Sequence, residues 1–131
     1  MKIILYFFFL TIAVASCENL GDHPEEFKNE NITQAQLEQQ FSEIEKYIAQ
    51  GSCTGSEQCS FIPYGRKACG GPQGYLVFST KVDNEKLQEM VNRYTKMEIA
   101  YNEQNQVMSD CSLPPEPAEL GCENGNCIRI K

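Results

Sequence analysis

Residues 122–127 read Cys-Glu-Asn-Gly-Asn-Cys, and this stretch decides how the chain closes. Asn124-Gly125 is the dipeptide favoured in a two-residue type I′ hairpin, whose central residues both need positive φ. Glu123 and Asn126 then flank the turn, and Cys122 stands opposite Cys127. Counting outward places the two cysteines at a non-hydrogen-bonded pair, where side chains approach closely and a cross-strand bridge is geometrically feasible. Ile128 and Ile130 alternate with Arg129 and Lys131, which offers one face to a core.

Upstream, "SDCSLPPEPAEL" (109–120) is a proline-rich connection that no helix crosses. Before it, Asp83 is placed to cap a helix running to about residue 105. Leu87, Met90, Val91, Tyr94, Met97 and Tyr101 recur along one face of that helix. "YLVFSTKV" (75–82) is the clearest strand, being aromatic and β-branched. Phe61, Ile62 and Tyr64 suggest a short partner, and Pro63 confines it to an edge or a bulge.

Thr33 followed by Gln36 makes a capping box, which satisfies exposed N–H groups at a helix start. Leu37, Phe41, Ile44 and Ile48 follow at helical spacing beside Tyr47, and Gly51 offers a stop, giving a first helix over 34–50. Asn31-Ile32-Thr33 also matches a glycosylation acceptor, but Thr33 has the better use as a cap. The order helix, strand, strand, helix, strand predicts an α+β domain. Two amphipathic helices pack on a small antiparallel sheet of about three strands, stapled by three disulfides.

The chain has seven cysteines, an odd number. Met1-Lys2 opens it with one positive charge, an apolar run from Ile3 to Leu10 extends through Ala13, and small residues follow. That is the layout of an export signal, and it is too short for a permanent membrane span. Val14-Ala15-Ser16-Cys17 resembles the bacterial lipobox. The resemblance implies cleavage before Cys17 and a lipid on its thiol, which leaves six cysteines for pairing. The rival is ordinary cleavage after Ala15, leaving Cys17 as a free thiol. Two or more acyl chains hold a protein stably, at roughly 0.8 kcal/mol per buried CH₂. Glu18, where an aspartate would favour inner-membrane retention, leans the expectation toward the outer membrane. The domain organisation is therefore a signal peptide over 1–16, a lipidated cysteine and acidic tether over 17–32, and a globular domain over 33–131.

Cys53, Cys59, Cys69, Cys111, Cys122 and Cys127 suit an oxidising compartment and three bridges. Cys69 and Cys111 bracket the main strand and second helix and are expected to pair. Their loop of about 43 residues corresponds to roughly 4 kcal/mol in the chain-entropy model. The other four are expected to pair locally, as Cys53–Cys59 and Cys122–Cys127. The alternative cross-links the loop after the first helix to the terminal hairpin. Zinc is disfavoured, because the gaps are Cys-x5-Cys and Cys-x4-Cys and the one histidine, His23, lies in the tether. No metal and no cofactor is expected.

The net charge is −7, and loss of Lys2 with the signal deepens it by one. That excludes the basic surface a nucleic-acid partner needs. It also excludes electrostatic adhesion to anionic lipid, so the expected membrane contact is the lipid on Cys17. Catalysis has no visible seat. No serine or cysteine has a histidine partner within the fold. Glu38, Glu43, Glu45, Glu85 and Glu89 fall on solvent-facing sides of the helices.

One loop invites a role. Cys69-Gly70-Gly71-Pro72 is a sharp turn whose glycines permit positive φ and whose proline fixes the exit. It is expected to display Arg66 and Lys67 on a rigid frame against an acidic background. A strand follows it, so it is no phosphate loop. The stretch "YGRKACGGPQGYLVFSTKVD", with "YNEQ", "SDC" and a final "CENGNC", resembles an uncharacterised family of small cysteine-rich bacterial secreted proteins and lipoproteins. The resemblance covers about residues 51–127 and implies export and the disulfide framework, with no activity attached. The expected function is a non-enzymatic binding or structural module of the cell envelope, with an unknown envelope protein or ligand as partner. The alternative is a small protease inhibitor presenting the Arg66-Lys67 loop, since a preorganised loop lowers the ordering cost of binding.

Overall fold

The computed structural model describes Phe27 and residues 30–130. The signal segment, Cys17 and most of the expected tether lie outside the described residues. Among the described residues, no helix is long and apolar enough to cross a membrane.

The first helix, α1, spans Gln34–Ile48 and begins with the expected capping box. Gln36 N–H donates to the Thr33 hydroxyl, and Gln36 Oε1 accepts from Thr33 N–H at 2.7 Å. Leu37 and Ile44 are buried on its inner face, with Phe41, Tyr47 and Ile48 packed beside them. The helix ends two residues earlier than expected, capped by Ala49 in a right-handed conformation. Gly51 is therefore not the left-handed stop. It is needed for space, because a Cβ there would stand 2.6 Å from Val82 Cγ1.

Strands β1 (Cys59–Tyr64) and β2 (Gly74–Ser79) pair antiparallel, with Ile62 opposite Leu76 and Ser60 opposite Phe78. Ile62, Tyr64, Leu76 and Phe78 alternate onto the face that meets the helices. The second helix, α2, spans Asn84–Gln104. Asp83 caps it by accepting from Lys86 N–H at 3.1 Å. Leu87, Val91, Tyr94, Met97 and Ala100 are buried along it. Burying such side chains contributes roughly 1.5–3 kcal/mol each for the larger ones, which makes the helix–helix–sheet contact the main apolar reservoir.

The N-terminal edge of the domain lies earlier than residue 33. Phe27 and Ile32, both expected in the tether, are 4% and 2% exposed and belong to the core cluster. Gln104 at the end of α2 holds this segment from both sides. Its Oε1 accepts from Ile32 N–H at 3.0 Å, and its amide donates to the Glu30 carbonyl. Arg93 lies over the Phe27 ring, 5.3 Å from its centre.

Strands β3 (Glu119–Glu123) and β4 (Asn126–Ile130) form the terminal hairpin, with Cys122 opposite Cys127 as counted. Asn124 and Gly125 both take positive φ, 51° and 81°. Two expectations fail here. The strands form two separate two-stranded sheets rather than one sheet of about three. Neither local bridge forms either: Cys53 is not joined to Cys59, nor Cys122 to Cys127, and the alternative cross-link to the hairpin is present instead. Cys53 bonds Cys122, and Cys59 bonds Cys127, with Cα–Cα distances of 6.0 and 5.5 Å. Cys69 pairs with Cys111 as expected.

The reason is visible in the hairpin's packing. Ile128 is only half-buried and Ile130 is 40% exposed, so neither reaches the core. The hairpin lies against the first sheet, and the Gly125 carbonyl accepts from Cys53 N–H at 2.9 Å. That contact brings the four sulfurs together, and bonding across the gap holds an element that its apolar burial alone would not. Closing a loop near 69 residues long corresponds to roughly 4 kcal/mol in the chain-entropy model, about twice the figure for a loop of five or six. The second crossing bridge closes only the small ring left by the first, so it adds less. Digestion without reduction should release peptides joining Cys53 to Cys122 and Cys59 to Cys127. Recovery of Cys122 bonded to Cys127 would refute this arrangement.

Candidate functional site

Two helix faces meet at a cleft of about 290 Å³. From α1 come Gln34, Leu37, Glu38 and Phe41, at positions i, i+3, i+4 and i+7 of one stripe. From α2 come Tyr94, Glu98, Tyr101 and Asn102, on a stripe of the same periodicity. Gln73, at the end of the β1–β2 loop, closes the rim. The Phe41 ring lies 5.4 Å from that of Tyr94 and 5.0 Å from that of Tyr64, in tilted contacts. Such pairs prefer offset or edge geometries, and these contacts pack the cleft wall.

Glu98 is the unusual member. It is 7% exposed, in the middle of the stripe that otherwise buries Tyr94 and Met97. A buried carboxylate is costly unless its lone pairs are filled. Among the described residues its hydrogen-bond partners are neutral. Arg66 N–H donates to Oε2, the Tyr94 hydroxyl donates to Oε1 at 3.2 Å, and Gln73 supplies a further side-chain bond. Burial pushes the Glu98 carboxyl above its ordinary range, and the three hydrogen bonds oppose that rise. Burial, then the Glu98 charge and its hydrogen bond, push the Tyr94 hydroxyl up. Burial and the charges of Glu98 and Glu45 do the same to Tyr64.

The loop singled out from the sequence, residues 65–73, lies over this part of α2. Gly65 N–H donates to Thr95 Oγ1 at 3.0 Å, and the Arg66 carbonyl accepts from Asn102 Nδ2 at 2.9 Å. Gly70 and Gly71 take positive φ, 99° and 80°, as the turn requires. Pro72 is half-buried, and both cysteines of the Cys69–Cys111 bridge are exposed. The two cations separate. Arg66 is exposed, whereas the Lys67 side chain is 14% exposed and engaged. Lys67 Nζ pairs with Asp110 at 2.9 Å and donates to the Ser112 carbonyl at 2.7 Å. Lys67 therefore ties its loop to the segment around Cys111 instead of being displayed. Its hydrogen bond, with those from Ser112, holds the Asp110 carboxyl down to about 2.

The sequence carries a signal for Glu98. It stands at i+4 from Tyr94 and i−3 from Tyr101, where the stripe calls for an apolar residue. The five glutamates assigned to solvent, Glu38, Glu43, Glu45, Glu85 and Glu89, are all exposed. Among the described residues, the Sγ atoms of Cys53, Cys59 and Cys127 lie within 4.8 Å of one another. All three are oxidised, and metals take thiolates. Compared with protein-family models, curated proteins and solved structures, the chain gives no match.

Two expectations follow for stability. Glu98→Ala leaves the Arg66 N–H and the Tyr94 hydroxyl without their acceptor and should cost about 2 kcal/mol, with Gln costing less because it keeps an acceptor oxygen. Chemical denaturation measures the difference, and equal losses for the two variants would contradict the latch. For pH, the raised Glu98 value means the folded state binds the proton more tightly than the unfolded chain does. Its contribution is thus present in acid and lost as pH rises above the ordinary carboxyl range. Asp110 has the opposite sign. Its contribution is present above pH 3.8 and lost as pH falls toward about 2. Melting temperatures of Glu98→Gln should flatten the first trend, and those of Asp110→Asn the second.

Proposed function

We propose that the chain is a non-enzymatic binding module of a bacterial cell envelope, anchored by lipid on Cys17, with the α1–α2 cleft as its binding site. The observation that carries the reading is the cleft itself. It is concave, aromatic on two sides, polar at the rim, and backed by a carboxylate held in a fixed orientation. Small-ligand sites combine apolar walls with a few placed polar groups in this way. Three disulfides suit an oxidising, exported location. The resemblance of residues 51–127 to cysteine-rich bacterial secreted proteins and lipoproteins points the same way, as does the lipobox-like Val14-Ala15-Ser16-Cys17.

The inhibitor reading is the weaker one. An inhibitory loop must offer its basic residue to a protease pocket, and Lys67 is already bound to Asp110 and Ser112. Arg66 alone remains on display, with its backbone latched to α2.

The reading is tested in two steps. The intact mass of protein extracted from membranes should exceed that of unmodified residues 17–131 by a diacylglyceryl group and an acyl chain. A mass matching unmodified residues 16–131 would remove the anchor. A photo-crosslinker at position 41 should then capture envelope material that the same group at exposed Lys81 does not. Identical captures from the two positions would count against the cleft.

A further inference from the structure

Resting on that reading of the cleft, we infer that its ligand carries an ammonium group on a short apolar stem, bound with the cation toward Glu98 and the stem along the Phe41, Tyr94 and Tyr101 side chains. Three observations converge. The Glu98 carboxylate is nearly buried, yet its hydrogen-bond donors among the described residues, the Arg66 amide, the Tyr94 hydroxyl and the Gln73 side chain, are neutral and bring no positive charge. Buried charges are normally balanced by an opposite charge, and a cation entering the cleft would supply it. Glu38 on the rim adds a second negative charge at the mouth, so the approach is favourable to cations and unfavourable to anions.

The walls fit the same ligand. Phe41, Tyr94 and Tyr101 line the cleft, and aromatic rings attract ammonium groups within about 6 Å. The volume of about 290 Å³ is at the small end for ligand sites. Gln34 and Asn102 stand at the edges, their amide nitrogens bonded to Glu38 and to the Arg66 carbonyl and their amide oxygens suited to a polar tail that stays at the mouth. A carboxylate or phosphate ligand would meet Glu98 and Glu38 with no cation among the described lining residues to offset them.

The test compares three probes of similar shape on the oxidised protein purified from membranes in detergent. They are 2-phenylethylammonium, neutral 2-phenylethanol and anionic phenylacetate, each titrated near pH 7.5 and followed by NMR. The ammonium probe should shift Leu37, Phe41, Tyr94 and Tyr101 saturably, with a Kd about tenfold below that of the alcohol, and phenylacetate should produce no saturable shift there. Glu98→Gln should bring the ammonium probe to the alcohol's affinity. The wild-type comparison stands without that variant if the variant does not fold. Equal affinities for ammonium and alcohol would overturn the cation assignment while leaving the cleft a binding site. Absence of saturable cleft shifts with every probe would overturn both.

Discussion

The fold depends on two crossing disulfides. The terminal hairpin, β3–β4, contributes no side chain to the buried apolar core. An isolated two-stranded hairpin is marginal in water, and this one has no ladder of hydrogen bonds to β1 or β2. Cys53–Cys122 and Cys59–Cys127 replace the missing burial with covalent closure, and the Cys53 N–H bond to the Gly125 carbonyl sets the docking point. The rest is organised around that arrangement. Helices α1 and α2 and one face of β1–β2 carry the apolar core, and the hairpin is bolted against that sheet. The third bridge, Cys69–Cys111, does similar work for the loops above α2, with the Lys67–Asp110 pair beside it.

The cleft owes its chemistry to the same economy of core. The cleft lies where α1 and α2 meet, lined by Phe41, Tyr94 and Tyr101. Glu98 occupies the cleft's inner edge and also latches the 65–73 loop through Arg66 N–H. One carboxylate therefore ties loop position to cleft charge. This is why the loop and the cleft belong to one site, although the loop's own cations point elsewhere or are engaged. The proposed ammonium ligand uses the charge, and the loop's backbone amide keeps it in place.

Local chemistry was legible in the chain. Thr33 and Gln36, Asp83, Asn124-Gly125, and the paired glycines before Pro72 each act through bonds or dihedral limits within a few residues. The helices and hairpin stand where these signals placed them. The helical stripes were legible too, because 3.6-residue periodicity reports burial directly. Glu98 escaped because a glutamate within a stripe reads by habit as solvent-facing. Only its partners on another element explain its burial.

What the sequence by itself determined is the set of elements, the oxidised cysteine framework, the Cys69–Cys111 pairing and the acidic character, since each follows from short-range geometry, composition or chain order. Only the tertiary structure decided which of four neighbouring cysteines bond, that the strands form two sheets, that Phe27 and Ile32 join the core, and that Lys67 is engaged while Glu98 faces a cleft. Those outcomes depend on distances between residues far apart in the chain. Pairing Cys53 with Cys122 requires knowing that a hairpin 69 residues downstream lands on the loop after α1, and no local pattern carries that information.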